Sequence, residues 1–218
     1  MTLESRRTGP EVGSGERAVV FLHGYGADGG DLIALADPLE EHLPGTVFLA
    51  PDAPEPCRAA PPGRQWFPIP QMDGSSPVEA GAALARATAA LDAWLDEVLA
   101  AEGLTPAQLL IFGFSQGTMM ALHVAPARAE AVAGIVGFSG RLIHPGSFAG
   151  RVRSRPPIWL GHGDRDPVVP FPEMASAETV LTAAGFEVTT QAMPNTAHGI
   201  APEGLGEALH FMRARLGL

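Results

Sequence analysis

Gly113-Phe114-Ser115-Gln116-Gly117 sets a serine between two glycines, directly after the apolar run Leu109–Phe112 and directly before a helical one. A G-x-S-x-G pattern alone is weak in a chain with 26 glycines. The setting sharpens it, because strand, tight turn and helix together lift a serine hydroxyl clear of the chain as a nucleophile. Such a turn strains the serine backbone, and side chains at the flanking positions would strike the adjoining strand and helix, so both are glycine. The hydroxyl then stands at the carboxyl edge of a sheet and at a helix N-terminus, where developing negative charge is favoured. Gly137-Phe138-Ser139-Gly140 is a near miss, with Arg141 where the second glycine would stand, and reads as an ordinary strand end.

A serine hydroxyl needs a base, and the base needs an orienting acid. In this arrangement the chain order is serine, acid, histidine. Two histidines lie beyond position 162. His210 sits inside a helical run between Leu209 and Phe211, whereas His198 follows a strand and the break Pro194-Asn195-Thr196. His198 therefore falls on a loop at the same sheet edge as Ser115 and is the expected base. The loop after Ile158–Leu160 offers two acids, Asp164 and Asp166. Both leave the correct edge, and spacing does not separate them. Acyl transfer also needs donors for an oxyanion. The main-chain N–H of Gln116, next to the serine, is one; that of Tyr25, in His23-Gly24-Tyr25-Gly26 after an early strand, is the other candidate. His23 precedes Ser115 in the chain and is read as a residue that holds this loop.

The elements that must position these groups alternate short apolar runs with longer helical ones, the pattern of a parallel sheet covered on both faces. Strands are expected at Ala18–Leu22, Thr46–Ala50, Leu109–Phe112, Val132–Phe138, Ile158–Leu160 and Phe186–Ala192. Helices are expected over Asp31–Leu43, Thr118–Ala125, Glu173–Ala184 and Glu203–Leu216. The best-marked helix begins at Ser76-Pro77-Val78-Glu79, a capping box with proline at the first helical position, and ends at Gly103. Residues 1–16 read as an irregular segment, and 51–75 as a long Pro-rich loop with no period. That loop offers Trp66, Phe67, Ile69 and Met72 as a wall beside an acyl group. Trp66 and Phe67 are candidate substrate contacts, with loop anchoring as their alternative, and Met119, one turn past Ser115, is a third. No repeat or linker divides the chain, so 1–218 is expected to form one domain.

Composition removes other chemistries. The 218 residues are 46% hydrophobic and 17% charged, ordinary globular values. There are 24 acids against 14 bases, and all the bases are arginine. Without lysine there is no Walker-A loop, Schiff base, PLP anchor or Ser–Lys dyad. The net charge of −10 argues against nucleic acid or an anionic membrane surface as partner. One cysteine, Cys57, makes neither an internal disulfide nor a Cys-rich metal site, so no metal is expected. No apolar run reaches membrane-spanning length and no signal peptide is visible, so no stable membrane insertion and a cytoplasmic location are expected. Apolar surface near the long loop leaves room for a homodimer.

Leu22-His23-Gly24-Tyr25-Gly26-Ala27-Asp28-Gly29-Gly30-Asp31-Leu32, the serine elbow, His162-Gly163-Asp164-Arg165-Asp166-Pro167-Val168-Val169-Pro170 and His198-Gly199 together resemble the bacterial phospholipase/carboxylesterase family of α/β-hydrolases. The resemblance spans nearly the whole chain in the right order. It implies an α/β-hydrolase fold, a mostly parallel twisted sheet with helices on both faces and no separate lid domain. It places the acid just before Pro-x-Val-Pro, at Asp166, and so implies a triad of Ser115, Asp166 and His198. It also implies cofactor-free hydrolysis of small-molecule carboxylic esters of short to medium acyl chain, with thioesterase or lysophospholipase action on long chains, or perhydrolysis, as alternatives. Gly30 departs from the asparagine frequent in relatives, and the chain start is short for an eight-stranded sheet, so an early strand is expected to be missing or irregular.

Overall fold

Runs that are apolar at every position form strands when helices cover both sides, because neither set of alternating side chains then faces water. The computed structural model describes residues 3–218. Its strands are β1 (Ser5–Thr8), β2 (Arg17–Leu22), β3 (Thr46–Pro51), β4 (Glu55–Pro56), β5 (Arg64–Gln65), β6 (Leu109–Phe114), β7 (Gly134–Phe138), β8 (Ile158–Gly163) and β9 (Val188–Met193). Its helices are α1 (Gly29–Ile33), α2 (Ala36–Glu40), α3 (Pro70–Asp73), α4 (Pro77–Glu102), α5 (Gln116–Val124), α6 (Pro172–Ala183) and α7 (Pro202–Leu216). Seven strands make the main sheet in the order β1-β3-β2-β6-β7-β8-β9, parallel except for β1.

Side-chain alternation divides the core in two. Ala18, Val20, Leu22, Leu109 and Ile111 face one cluster, which Leu91 and Trp94 of α4, Met120 of α5 and Leu181 of α6 complete. Val19, Phe21, Leu110 and Phe112 face the other, closed by Leu32, Leu39 and Met212 from α1, α2 and α7. The α/β-hydrolase architecture is as expected. α4 begins and ends as its sequence signals require. The Ser76 hydroxyl accepts the Glu79 N–H, Glu79 accepts the Ser76 N–H, and Gly103 takes φ +66°.

Three expectations are corrected. The segment 1–16, whose first two residues lie outside the described ones, is not irregular throughout, since β1 pairs antiparallel with β3 from Ser5↔Pro51 to Thr8↔Phe48. Its residues, Ser-Arg-Arg-Thr, carry no apolar signal. Long-range partners hold this edge strand instead: Arg6 bonds Asp52, and Arg7 grips the buried Glu102 of α4 at 2.8 and 3.1 Å. The expected helix over Asp31–Leu43 is two short ones, because Pro38 has no N–H to continue the first. The 51–75 excursion contains the small β4–β5 hairpin and α3.

Candidate active site

Ser115 directly follows the central strand β6 and caps α5 with φ +53°. This left-handed backbone is strained for a non-glycine residue and is held on one side by its own N–H and on the other by its carbonyl, which accepts the Met119 N–H at 3.2 Å. Ser115 N–H donates to Phe138 O at 2.8 Å, and Thr118 Oγ1 lies 2.8 Å from both Gly113 O and Phe138 O. The flanking glycines are required by contact. A Cβ on Gly113 would lie 2.5 Å from Thr118 N, and one on Gly117 would lie 1.8 Å from Leu22 O.

His198 stands beside the serine. Its Nδ1–H donates to Asp166 Oδ2 at 2.7 Å, which leaves Nε2 as the acceptor facing Ser115 Oγ at 3.0 Å. The other Asp166 oxygen accepts the Val168 and Val169 N–H groups at 2.8 and 2.9 Å. Burial pushes the Asp166 carboxyl up. The bonds from His198, Val169 and Val168 outweigh that and hold it below the ordinary carboxylate value. Asp166 is therefore a buried carboxylate that fixes the imidazole tautomer. Asp164, two residues earlier, is exposed. The two loops meet closely: a Cβ on Gly163 would lie 2.3 Å from Thr196 O and 2.4 Å from Ala197 O. Phe114 packs on the His198 ring with centroids 5.0 Å apart. His210 is exposed on α7, away from this edge.

The loop after β2 lies against the serine, since a Cβ on Gly24 would be 3.3 Å from Ser115 Cβ. Among the described residues, the main-chain N–H groups of Tyr25 and Gln116 have no protein acceptor. Both are thus available to a substrate oxygen. His23 holds the loop as a neutral base-pair-like bridge: Ala53 N–H donates to Nε2 at 2.9 Å, and Nδ1–H donates to Gly24 O at 2.8 Å. Burial lowers its pKa, which keeps this neutral form.

Trp66 does not line the cavity around Ser115. It is fully buried, and its Nε1–H donates to His23 O at 3.0 Å. The indole nitrogen needs a buried acceptor, and that need makes Trp66 an anchor. Phe67 lines a neighbouring groove, and its carbonyl accepts Gln116 Nε2 at 2.8 Å while Gln116 Oε1 accepts Trp66 N–H at 2.9 Å. The Gln116 side chain thus clamps the long loop, a role with no sequence signal beyond its place after the serine. Met119, Ile69 and Met72 line the catalytic cavity, which measures about 340 Å³. Sequence reasoning missed Gln71, Arg141 and Val168–Pro170 as further walls. It also gave no role to His162, which is buried and whose Nε2–H donates to Val169 O at 2.9 Å, pinning the acid loop. Among the described residues, no group of three or more His, Cys, Asp or Glu could hold a metal ion, and no helix is long and apolar enough to cross a membrane.

Comparison with known proteins agrees with this geometry. A family model described as Phospholipase/Carboxylesterase matches residues 11–216. Acyl-protein thioesterase 1 of Saccharomyces cerevisiae is 32% identical over 176 residues, covering 76% of this chain and 77% of its own. Esterase YpfH of Escherichia coli is 23% identical, with 91% and 82% covered. The crystal structure of esterase PE8 superposes with a TM-score of 0.92 at 36% identity, covering 99% of this chain and all of that one.

Proposed function

The chain belongs to the phospholipase/carboxylesterase family and is a serine-type carboxylic ester hydrolase; from that premise we propose that it cleaves short- to medium-chain esters through an acyl-enzyme on Ser115. The observation that carries this reading is the continuous relay from Asp166 Oδ2 to His198 Nδ1 (2.7 Å) and from His198 Nε2 to Ser115 Oγ (3.0 Å), opening on a cavity of about 340 Å³.

In this mechanism Ser115 Oγ attacks the ester carbonyl carbon while His198 Nε2 takes the hydroxyl proton. The imidazolium that forms is stabilised by the Asp166 carboxylate. The carbonyl oxygen becomes an oxyanion and accepts the N–H groups of Tyr25 and Gln116. As the tetrahedral adduct collapses, the bond to the alkoxide breaks and His198 returns its proton to the leaving alcohol. Water then attacks the acyl-enzyme by the same route, releasing the acid and restoring the serine. No step calls on a cofactor or metal.

A second reading, action on long acyl chains or thioesters, draws on one observation. A groove of about 380 Å³ lined by Phe67, Leu84 and Ile143 shares Ile69, Gln71 and Arg141 with the catalytic cavity. Profiling kcat/KM from acetate to palmitate, on oxygen and sulfur esters, decides between them. A maximum at or below octanoate supports the first reading, and a maximum at palmitate overturns it. A cytoplasmic location goes with this proposal, since the single thiol, Cys57, needs no oxidising compartment; cell fractionation tests it.

A further inference from the structure

Two cavities meet at one cation. Arg141 lines both the space around Ser115 and the adjoining groove, and no aspartate or glutamate lines either. In a chain with 24 acids against 14 bases, the acids of this region stand behind the lining, Asp166 bonded to His198 and Asp73 to the Tyr25 hydroxyl. The position is fixed by the fold. β7 ends at Phe138, the next residue, Ser139, turns the chain with a φ of +49°, and a Cβ on Gly140 would lie 3.0 Å from the Ser115 carbonyl oxygen. Arg141 therefore leaves the sheet directly after a glycine packed against Thr118 and the Ser115 main chain. Ion pairs among the described residues hold Arg6, Arg7, Arg17, Arg86, Arg128 and Arg215, and Arg141 enters none of them.

A guanidinium is always charged and presents a planar fork that matches an oxyacid group with two parallel hydrogen bonds. An acid beside Arg141 would neutralise it, and a purely apolar ester would leave its donors to water. We propose that Arg141 selects esters that carry, besides the scissile bond, an anionic oxyacid group, carboxylate or phosphate. The proposal rests on the esterase reading above and names the substrate class within it. Gln71 lines both cavities with Arg141, and His144, which lines the groove but not the catalytic cavity, adds a further polar group.

The test is a ratio of kcat/KM between matched substrates, for wild type, Arg141→Ala and Arg141→Lys. One pair, methyl hydrogen adipate and methyl hexanoate, differs by a carboxylate. The other, a lysophosphatidic acid and the monoacylglycerol of the same acyl chain, differs by a phosphate. The wild-type ratio of anionic to neutral substrate is expected above one in at least one pair. Arg141→Ala lowers that ratio about threefold to fivefold, the worth of an ion pair at an exposed, solvent-screened arginine. Arg141→Lys keeps part of it, and added salt reduces it in wild type. A fall confined to the first pair identifies the carboxylate, and one confined to the second identifies the phosphate. Ratios that Arg141→Ala leaves unmoved in both pairs overturn the proposal. Failure of the esterase reading looks different: wild type then turns over no ester of either pair, and a fluorophosphonate leaves Ser115 unlabelled.

Discussion

Replacing Gly117 with alanine tests whether the elbow is built by contact. The added methyl would stand 1.8 Å from Leu22 O, 2.4 Å from Leu22 C and 2.9 Å from His23 O, whereas ordinary contact begins near 3.4 Å. Something must move by about 1.6 Å, and both partners are main chain. β2 lies inside the sheet, paired with β3 and β6, so it yields little. What does move is the start of α5 against the His23–Tyr25 loop, and with it Ser115 and the Gln116 N–H. Displacement of that size costs on the order of 10²-fold or more in kcat/KM. Overpacking of rigid backbone costs about 4 kcal/mol, at the severe end for a single substitution, or roughly a 10 °C fall in Tm for a chain of this size. Gly206→Ala is the control. Nothing lies within 4 Å of its Cβ, and it sits inside α7. The same chemical change there should add about 1 kcal/mol, because alanine is the better helix former. Ester hydrolysis and a thermal melt on both variants read the outcome. A Gly117→Ala enzyme within about threefold of wild-type kcat/KM, with Tm unchanged, would refute the contact argument.

Asp166→Asn should lower kcat about 10³- to 10⁴-fold by reversing the imidazole tautomer, while Asp164→Asn, exposed two residues away, stays near wild type in the same assay. Burial, with Arg151 and His144 nearby, lowers the His123 pKa to about 4, and its Nδ1 accepts a hydrogen bond from Arg151. Because the folded value lies below the unfolded one, His123 contributes stability above about pH 6.5 that is lost as pH falls toward 4. The urea midpoint should therefore drop between pH 7.5 and pH 5, and His123→Asn should shrink that drop; an identical drop would contradict the assignment. Glu102→Gln, which leaves Arg7 half-paired behind β1, should cost about 2 kcal/mol in urea unfolding, with little change in kcat.

Legibility followed the range of the forces involved. α4 was plain because Ser76, Glu79 and Gly103 act within their own turns. β6, the elbow and α5 were plain for the same reason. β1 was hidden because its support, the Arg7–Glu102 pair, spans most of the first half of the chain. Asp164 and Asp166 were inseparable by spacing, and family resemblance, not the residues alone, singled out Asp166. In three dimensions the difference is simple, since one carboxylate points to solvent and the other accepts three hydrogen bonds. Trp66 looked like a pocket wall by its type, yet the acceptor that buries it, His23 O, lies 43 residues away. Arg141 carried no signal in the sequence, because its place between two cavities that no aspartate or glutamate lines is a matter of three-dimensional arrangement.

The central claim is that Ser115 itself carries the acyl group during turnover. Rapid-quench mass spectrometry of the reaction with p-nitrophenyl acetate tests this directly. An acetyl adduct on the peptide containing Ser115, formed at least as fast as product is released and absent in Ser115→Ala, is the predicted result. Turnover with no adduct, or with the acetyl group on another residue, would contradict it.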